Sequence, residues 1–409
     1  MVKRELYMEK LRHLRNKDII KVITGVRRCG KSYLLQLIID ELIETGVNKE
    51  NIVLINFDSG EYNNIESSLE LDELVLNLVK PLSGCVYLFF DEIQNVKGWE
   101  RSIVSYYVDL DCDIYVTGSN SKLLSGELAT HLTGRYMQIK MYPFSFNEFM
   151  DYKMETIDLN DERLLPVYEQ DWLDEFIYWG AFPFSLALGE EYKMSYLQDV
   201  FNSIIYRDLI ERYNIRDVAL LKRLINFLLD NVGNVFSANS ISKFLKNEGV
   251  SVSHITIQNY LNFLEESHMF LKVPREEIHG KELLRVNAKY YVVDTGFIRV
   301  LMGISSINGN IGHIIENIVY LELIKRGYDV TIGKVNGSEV DFVCRNYNET
   351  FYIQVCDEIH ESDIEREFGP LLKIKDAYPK YIVSRDKSDK SFDGIKHINL
   401  LKFLKDFVN

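Results

Sequence analysis

Residues 19–39 read Ile19-Ile20-Lys21-Val22-Ile23-Thr24, then Gly25-Val26-Arg27-Arg28-Cys29-Gly30-Lys31-Ser32, then Tyr33-Leu34-Leu35-Gln36-Leu37-Ile38-Ile39. The first stretch is β-branched and predicts a buried strand. The last is apolar at helical spacing and predicts a helix. Between them, residues 25–32 fit G-x-x-x-x-G-K-[ST], the Walker A phosphate loop. Glycines at 25 and 30 allow backbone angles that other residues resist. The loop amides and the helix N-terminus then direct partial positive charge at a phosphate. The binding residues expected on this basis are Gly25, Val26, Arg27, Arg28, Cys29, Gly30, Lys31, Ser32 and Tyr33. Lys31 would reach the β- and γ-phosphates of ATP, and the Ser32 hydroxyl would ligate Mg²⁺. Arg27 and Arg28 are candidates for contact with phosphate or with an acidic partner.

Working outward, Cys85-Val86-Tyr87-Leu88-Phe89-Phe90-Asp91-Glu92 is an apolar strand ending in two acids, about 60 residues after the loop. That is the Walker B pattern. Asp91 would hold the metal ion and Glu92 would polarise an attacking water. Ile114-Tyr115-Val116-Thr117-Gly118-Ser119-Asn120 is a further strand ending in small polar residues. Ser119 or Asn120 is a candidate γ-phosphate sensor; the competing reading is a polar turn. Arg135, in His131-Leu132-Thr133-Gly134-Arg135-Tyr136, is a candidate source of positive charge for a γ-phosphate in its own subunit or a neighbour's. The competing reading is a surface arginine. Pro143-Phe144-Ser145-Phe146-Asn147-Glu148-Phe149 carries aromatics at helical spacing and predicts packing.

The 409 residues suffice for two to four domains. With 46% hydrophobic and 26% charged residues, the chain is globular rather than fibrous or disordered. A net charge of −14 argues against a generally basic nucleic-acid coat, though not against a local basic patch. The five cysteines contain no C-x-x-C pair, which points to reduced thiols and a cytoplasmic setting. Cys29 is either a packed residue or a modifiable one. The first residues lack the apolar core of a signal peptide, and no run reaches 18 apolar residues, so no membrane partner is expected.

Residues 1–155 alternate strands (19–24, 52–57, 85–90, 113–117, 136–141) with helices (31–45, 68–79, 99–108, 144–152). The pattern predicts an α/β fold with an open, mostly parallel sheet. Residues 156–230 predict a helical lid or connector. Residues 231–280 predict a winged-helix-like module, with helices at 237–247 and 253–266 and a strand at 269–274. Within residues 236–275, four basic residues (Lys243, Lys246, Lys272, Arg275) against three glutamates (248, 265, 266) leave DNA and protein partners equally open. Residues 281–409 predict a second α/β domain, with strands at 290–293, 328–333, 339–344, 351–356 and 380–384 and helices at 311–325 and 399–408.

Taken in order, these motifs resemble the prokaryotic AAA+-like P-loop ATPases that carry a C-terminal domain of unknown function. The resemblance rests on Gly25–Ser32, Phe89-Phe90-Asp91-Glu92-Ile93-Gln94, Thr117-Gly118-Ser119-Asn120, Leu132-Thr133-Gly134-Arg135 and Pro143-Phe144-Ser145-Phe146. It continues through Gly180-Ala181-Phe182-Pro183, Tyr206-Arg207-Asp208-Leu209 and Asp294-Thr295-Gly296, and so covers nearly the whole chain. It implies ATP binding, hydrolysis, and a C-terminal half related to winged helices and restriction-endonuclease-like folds. Metal-dependent nucleases of that fold place an acid on a helix, an Asp on one strand and (D/E)-x-K on the next. Here Glu316 and Asp341 match, but Gln354 stands in place of the second acid and Cys356 in place of the lysine. The expectation is a degenerate centre used for binding, with nuclease activity absent.

Three functions compete on this reading. The first is an Mg²⁺-dependent ATPase switch whose catalytic residues are Lys31, Asp91, Glu92, Asn120 and Arg135. The second is a nucleotide-gated module binding DNA or protein with little hydrolysis. The third, a small-molecule kinase, fits less well, because such kinases rarely need 250 further residues and Glu92 suits water activation. An arginine supplied by a neighbour would require a homo-oligomer.

Overall fold

The computed structural model describes residues 2–120, 134–157, 165–278, 280 and 282–407. The chain divides into two compact units. The first comprises Met1–Tyr142 with Glu266–His268, and the second Pro143–Glu265 with Met269–Asn409.

The first unit is built on β1 (Ile20–Gly25), β2 (Ile52–Asn56), β3 (Val86–Asp91), β4 (Cys112–Gly118) and β5 (Tyr136–Met141). Their order in the sheet is β2-β3-β4-β1-β5, with every neighbouring pair parallel. Parallel strands must be covered on both faces, so their sequences are continuous apolar runs rather than alternations. β1 and β3 are buried at every position. Val22, Leu88, Phe90 and Val116 on one face join Leu71 and Val75 of α3 (Ser68–Val79) and Ile103 of α4 (Trp99–Asp109) in one core. With α1 (Glu5–Leu14) and α2 (Lys31–Glu44) also placed, α2 lies against β1 and β4 and α1 against α2. Each buried aliphatic side chain contributes about 1.5–3 kcal/mol. The sheet order leaves β1 between β4 and β5, so its carboxyl end opens at the reversal of strand order, where α/β sheets hold ligands.

The second unit is organised by a seven-stranded mixed sheet. Its strands are β6 (Phe270–Glu277), β7 (Glu282–Val292), β8 (Asp329–Val335), β9 (Ser338–Arg345), β10 (Thr350–Val355), β11 (Lys380–Ser384) and β12 (Lys396–Asn399), in the order β12-β11-β10-β9-β8-β6-β7. The helix Ile311–Lys325 is buried nearly all round. Asn317 pins it to β7 by accepting from the Val292 amide at 2.8 Å and donating to its carbonyl at 2.9 Å.

Two expectations differ from this architecture. The helices Ala238–Asn247 and His254–Glu266 form with Ser237 as N-cap of the first. The strand after them runs on into a hairpin whose β6 pairs in parallel with β8, Arg275 facing Ile332. Residues 231–280 therefore share a sheet with 281–409 instead of standing apart. The first unit also ends at Tyr142, short of 155, because Phe146 and Phe149 pack edge-on against Phe176 of the second. No helix among the described residues is long and apolar enough to cross a membrane.

Candidate functional site

β1 stops at Gly25 and α2 starts at Lys31, so the loop between them crosses the carboxyl edge of the sheet. A Cβ on Gly25 would collide with the Met141 carbonyl of β5 and crowd the Cys29 sulfur. Glycine is what lets β5 pair while the chain turns. Gly30 has φ 105° and Arg28 φ 68°, both in the left-handed region. Gly30 precedes α2 without a side-chain cap, which leaves the first-turn amides available to an anion.

Within the loop, Val26 and Cys29 are fully buried, Arg27 is half-buried with a guanidinium nitrogen 4.0 Å from Asp58, and Arg28 is exposed. Burial pushes the Cys29 thiol up, away from the reactive thiolate, which favours its packing role. Ser32 is exposed and Tyr33 half-buried on the first turn of α2.

The Lys31 ammonium is buried. It donates to the Gly25 carbonyl at 3.1 Å and the Val26 carbonyl at 3.4 Å, and lies 3.3 Å from Glu92 Oε1. Burial alone would lower its pKa, but the surrounding groups, Glu92 foremost with Asp91 beside it, together hold it above the ordinary value. Glu92 takes φ 56°, a left-handed conformation just past β3. Burial disfavours its charge, yet Lys31 and the Gln94 amide, which donates to Glu92 Oε2, hold its pKa below the ordinary value. Asp91 is pushed the other way by burial, against hydrogen bonds from Ser32 and Thr117. Thr117 links both acids: its hydroxyl donates to Asp91 Oδ1 at 2.5 Å and accepts from the Glu92 amide at 3.0 Å. No spacing rule marks a strand-end threonine for this role, and sequence reasoning missed it.

Ser119 and Asn120 are buried just beyond the carboxyl end of β4, beside β1 and β3. Arg135 lies elsewhere. Its carbonyl accepts from Ile20, the first residue of β1, at 2.8 Å, and its guanidinium sits 5.6 Å from the Tyr107 ring. β1 spans six residues from Ile20 to Gly25, five steps or about 16 Å. Arg135 therefore occupies the end of the sheet opposite the loop and does not reach a phosphate held there in its own subunit. His131, Leu132 and Thr133 lie outside the described residues.

The loop amides, the buried ammonium, and the Ser32 hydroxyl bonded to Asp91 suit a nucleotide phosphate with Mg²⁺. Ser32 and Asp91 are the side chains that would offer hard oxygen donors to such an ion.

In the second unit the structure brings Glu316, Asp341 and Gln354 together. Asp341 Oδ2 accepts from the Val355 amide at 2.9 Å, and the Gln354 side-chain oxygen lies 3.4 Å from the Asp341 amide. Cys356 is buried nearby, with its thiol pKa pushed up by burial. Sequence reasoning missed Lys289 of β7, whose ammonium is 2.6 Å from Glu316 and 3.4 Å from Asp341. A buried lysine inside the apolar run Ala288-Lys289-Tyr290-Tyr291-Val292 was the available signal.

The parallel sheet, the loop at its reversal point and the two acids facing Lys31 define a P-loop ATPase of the AAA type. A family model described as "AAA domain" matches residues 17–150, and one described as "Domain of unknown function (DUF8612)" matches residues 170–308. An uncharacterized protein of Haemophilus influenzae is 38% identical over 405 residues, spanning 99% of this chain and 98% of that one. Another from Methanocaldococcus jannaschii is 35% identical over 363 residues, 87% of this chain and 79% of that one. The chain belongs to the family these proteins form, AAA-type P-loop ATPases with a C-terminal domain of unknown function. Among solved structures, the Walker-type ATPase paby2304 of Pyrococcus abyssi is similar in fold, with TM-score 0.47 and 17% identity over 73% of this chain and 95% of that one.

Proposed function

We propose that the protein binds ATP and hydrolyses it with Mg²⁺, acting as a nucleotide-driven switch for its C-terminal half. The observation that carries this reading is the Lys31–Glu92 ion pair at 3.3 Å. Without nucleotide, Lys31 neutralises the acid that would polarise water. The β- and γ-phosphates offer Lys31 a stronger partner, and its withdrawal leaves Glu92 ionised and unmasked. Glu92 then orients a water whose oxygen bonds to the γ-phosphorus as the bond to the β,γ-bridging oxygen breaks. ADP leaves with that bond's electrons. Ser32 and Asp91 would hold Mg²⁺, which supplies charge neutralisation at the β- and γ-oxygens. Thr117 keeps both acids in register, and Asn120, buried beyond the end of β4, is the candidate sensor of the γ-phosphate.

A second reading, nucleotide-gated binding of DNA or protein with little hydrolysis, is favoured by the position of Arg135. An arginine at the far end of β1 would serve only a neighbouring copy, so turnover would be slow until copies assemble. Both readings fit a cytoplasmic protein.

The test is phosphate release by the parent and by Glu92→Gln, with and without DNA, alongside mass measurement in ATP. We expect turnover that Glu92→Gln abolishes while ATP binding persists. No turnover in assembled parent, or equal turnover in the variant, rejects the switch. DNA binding, where present, should weaken steeply with salt.

A further inference from the structure

In the second unit, three carboxylates from two elements converge on one lysine. Lys289 Nζ lies 2.6 Å from Glu316 Oε1, 2.9 Å from Glu339 Oε1 and 3.4 Å from Asp341 Oδ1. Glu316 comes from the helix Ile311–Lys325; Glu339 and Asp341 come from β9. Lys289 and Glu316 have side chains only 3% and 5% exposed. Asp341 is 10% exposed and Glu339 33%, and carboxylates this close to each other around a buried one need a cation. In nucleases of the fold that this half resembles, the cation is a divalent metal held by the helix acid and the strand acids.

The carboxylate oxygens that Lys289 does not reach are also engaged. Glu316 Oε1 accepts from the Tyr291 hydroxyl, and its Oε2 is 3.3 Å from His313 Nδ1. Asp341 Oδ2 accepts from the Val355 amide. Glu339 Oε2 lies 3.5 Å from Arg275. All six carboxylate oxygens thus have protein partners. Gln354, in place of an acid, adds no charge. Among the described residues, no three acidic, histidine or cysteine side chains are arranged to hold a metal ion. The residues present do not fit a resident divalent cation.

We propose that Lys289 is a built-in cation: its ammonium takes the position between Glu316, Glu339 and Asp341 that a catalytic metal would occupy, and makes the centre metal-independent. The lysine absent from position 356 is thereby supplied from β7, in a different role. It locks the carboxylates instead of activating water beside a metal. The cavity above this centre has a volume of about 840 Å³, and in its walls Asp357, Glu358, Asp363 and Glu367 outnumber Arg366, the one full positive charge there besides Lys289. Those walls repel phosphodiesters, and the locked centre offers no divalent ion to offset the repulsion. This cavity is therefore not a place where nucleic acid is cut.

The proposal is tested on the full chain carrying Ser32→Ala and Asp91→Asn, so that the phosphate loop binds no metal and its own activity plays no part. Bound Mn²⁺ is counted by electron paramagnetic resonance in that parent, in added Glu316→Gln, in added Lys289→Met, and in Lys289→Met with Glu316→Gln. The expected result is no saturable Mn²⁺ in the second unit of the parent, one Mn²⁺ per chain gained with Lys289→Met, and loss of that gain with Glu316→Gln. A saturable site in the parent that Glu316→Gln removes would overturn the proposal, as would a folded Lys289→Met chain that gains none. If Lys289→Met does not fold, the parent titration decides alone. Plasmid incubated with Mn²⁺ provides an independent readout: cleavage that disappears in Asp341→Ala also overturns it.

Discussion

Gly180 leaves room for the carboxylate of Asp294, which a Cβ at position 180 would overlap. Asp294 uses that space to accept from the Ala181 amide at 2.7 Å with one oxygen and from the Gly296 amide at 2.9 Å with the other. Two short motifs more than a hundred residues apart, Gly180-Ala181-Phe182-Pro183 and Asp294-Thr295-Gly296, are thus the two halves of one buried joint. Phe182 and Phe297 continue it, with ring centroids 5.1 Å apart.

The joint makes Gly180→Ala costly. Gly180 has φ 69°, so the substitution combines backbone strain with a collision. We expect a loss of about 3 kcal/mol or more. Urea unfolding followed through Trp172 and Trp179, in a Trp99→Phe background, would measure it. A loss below 1 kcal/mol would mean that the joint yields easily.

Asp294 also gives the second unit a pH dependence. Burial pushes its pKa up to about 6, from an ordinary value of 3.8, against the two amide hydrogen bonds. The folded state therefore holds this proton more tightly than the unfolded state. Its contribution to stability is fully present below about pH 4 and is lost as pH rises through about 6, by an amount of order 2–3 kcal/mol. Asp294→Asn should remove this component of the slope between pH 4 and 6, as seen by urea unfolding at several pH values. An unchanged slope would contradict the assignment.

Thr117→Val keeps the shape of the strand end but removes the hydroxyl that joins Asp91 to the Glu92 amide. Leaving those buried groups short of a partner should cost about 1–3 kcal/mol. Turnover should fall by roughly tenfold to a hundredfold as the acids lose their alignment. Nucleotide affinity measured without metal should change little, since Thr117 faces the acids and not the loop amides. An equal loss in metal-free affinity would show general collapse of the site.

Arg135→Ala separates the two ways an arginine might serve the phosphate. At dilutions where the chain is monomeric by mass, the variant should turn over ATP like the parent. Any rise in turnover with protein concentration should vanish in the variant. A loss of activity already present in the monomer would mean that Arg135 reaches its own site.

The first unit was legible because its central strands are buried on both faces. β1, β3 and β4 show as mainly apolar runs, and all five strands fall within a residue or so of their observed limits. Asp91 and Glu92 stand out as charge at the end of such a run. Thr117 does not, because a hydroxyl at a strand end has no periodic signature, and its meaning lies in the two acids that β3 carries beside it. Lys289 was hidden for a related reason: Arg285, Asn287 and Lys289 interrupt the apolar residues of β7 before Tyr290, and only the folded sheet brings that strand beside Glu316. The winged-helix expectation placed its two helices well but treated the following strand as local. The parallel pairing of β6 with β8 is a long-range event that no local pattern announces. The short edge strand β12 offers only four residues of signal.

The position of β1 also sets an order of assembly. Lys21 pairs with Tyr115, Ile20 with Tyr136 and Gly25 with Met141, so the strand synthesised first is enclosed by the two synthesised last. Such distant pairings form slowly, because long loops must close before any contact rewards them. On the ribosome, the phosphate loop emerges early but lacks its floor, the Met141 carbonyl edge, until some hundred further residues have followed. Nucleotide therefore has no finished cradle to select during early synthesis. It arrives as a late stabiliser, and mutations that delay β5 should harm the yield of folded chain more than its final stability.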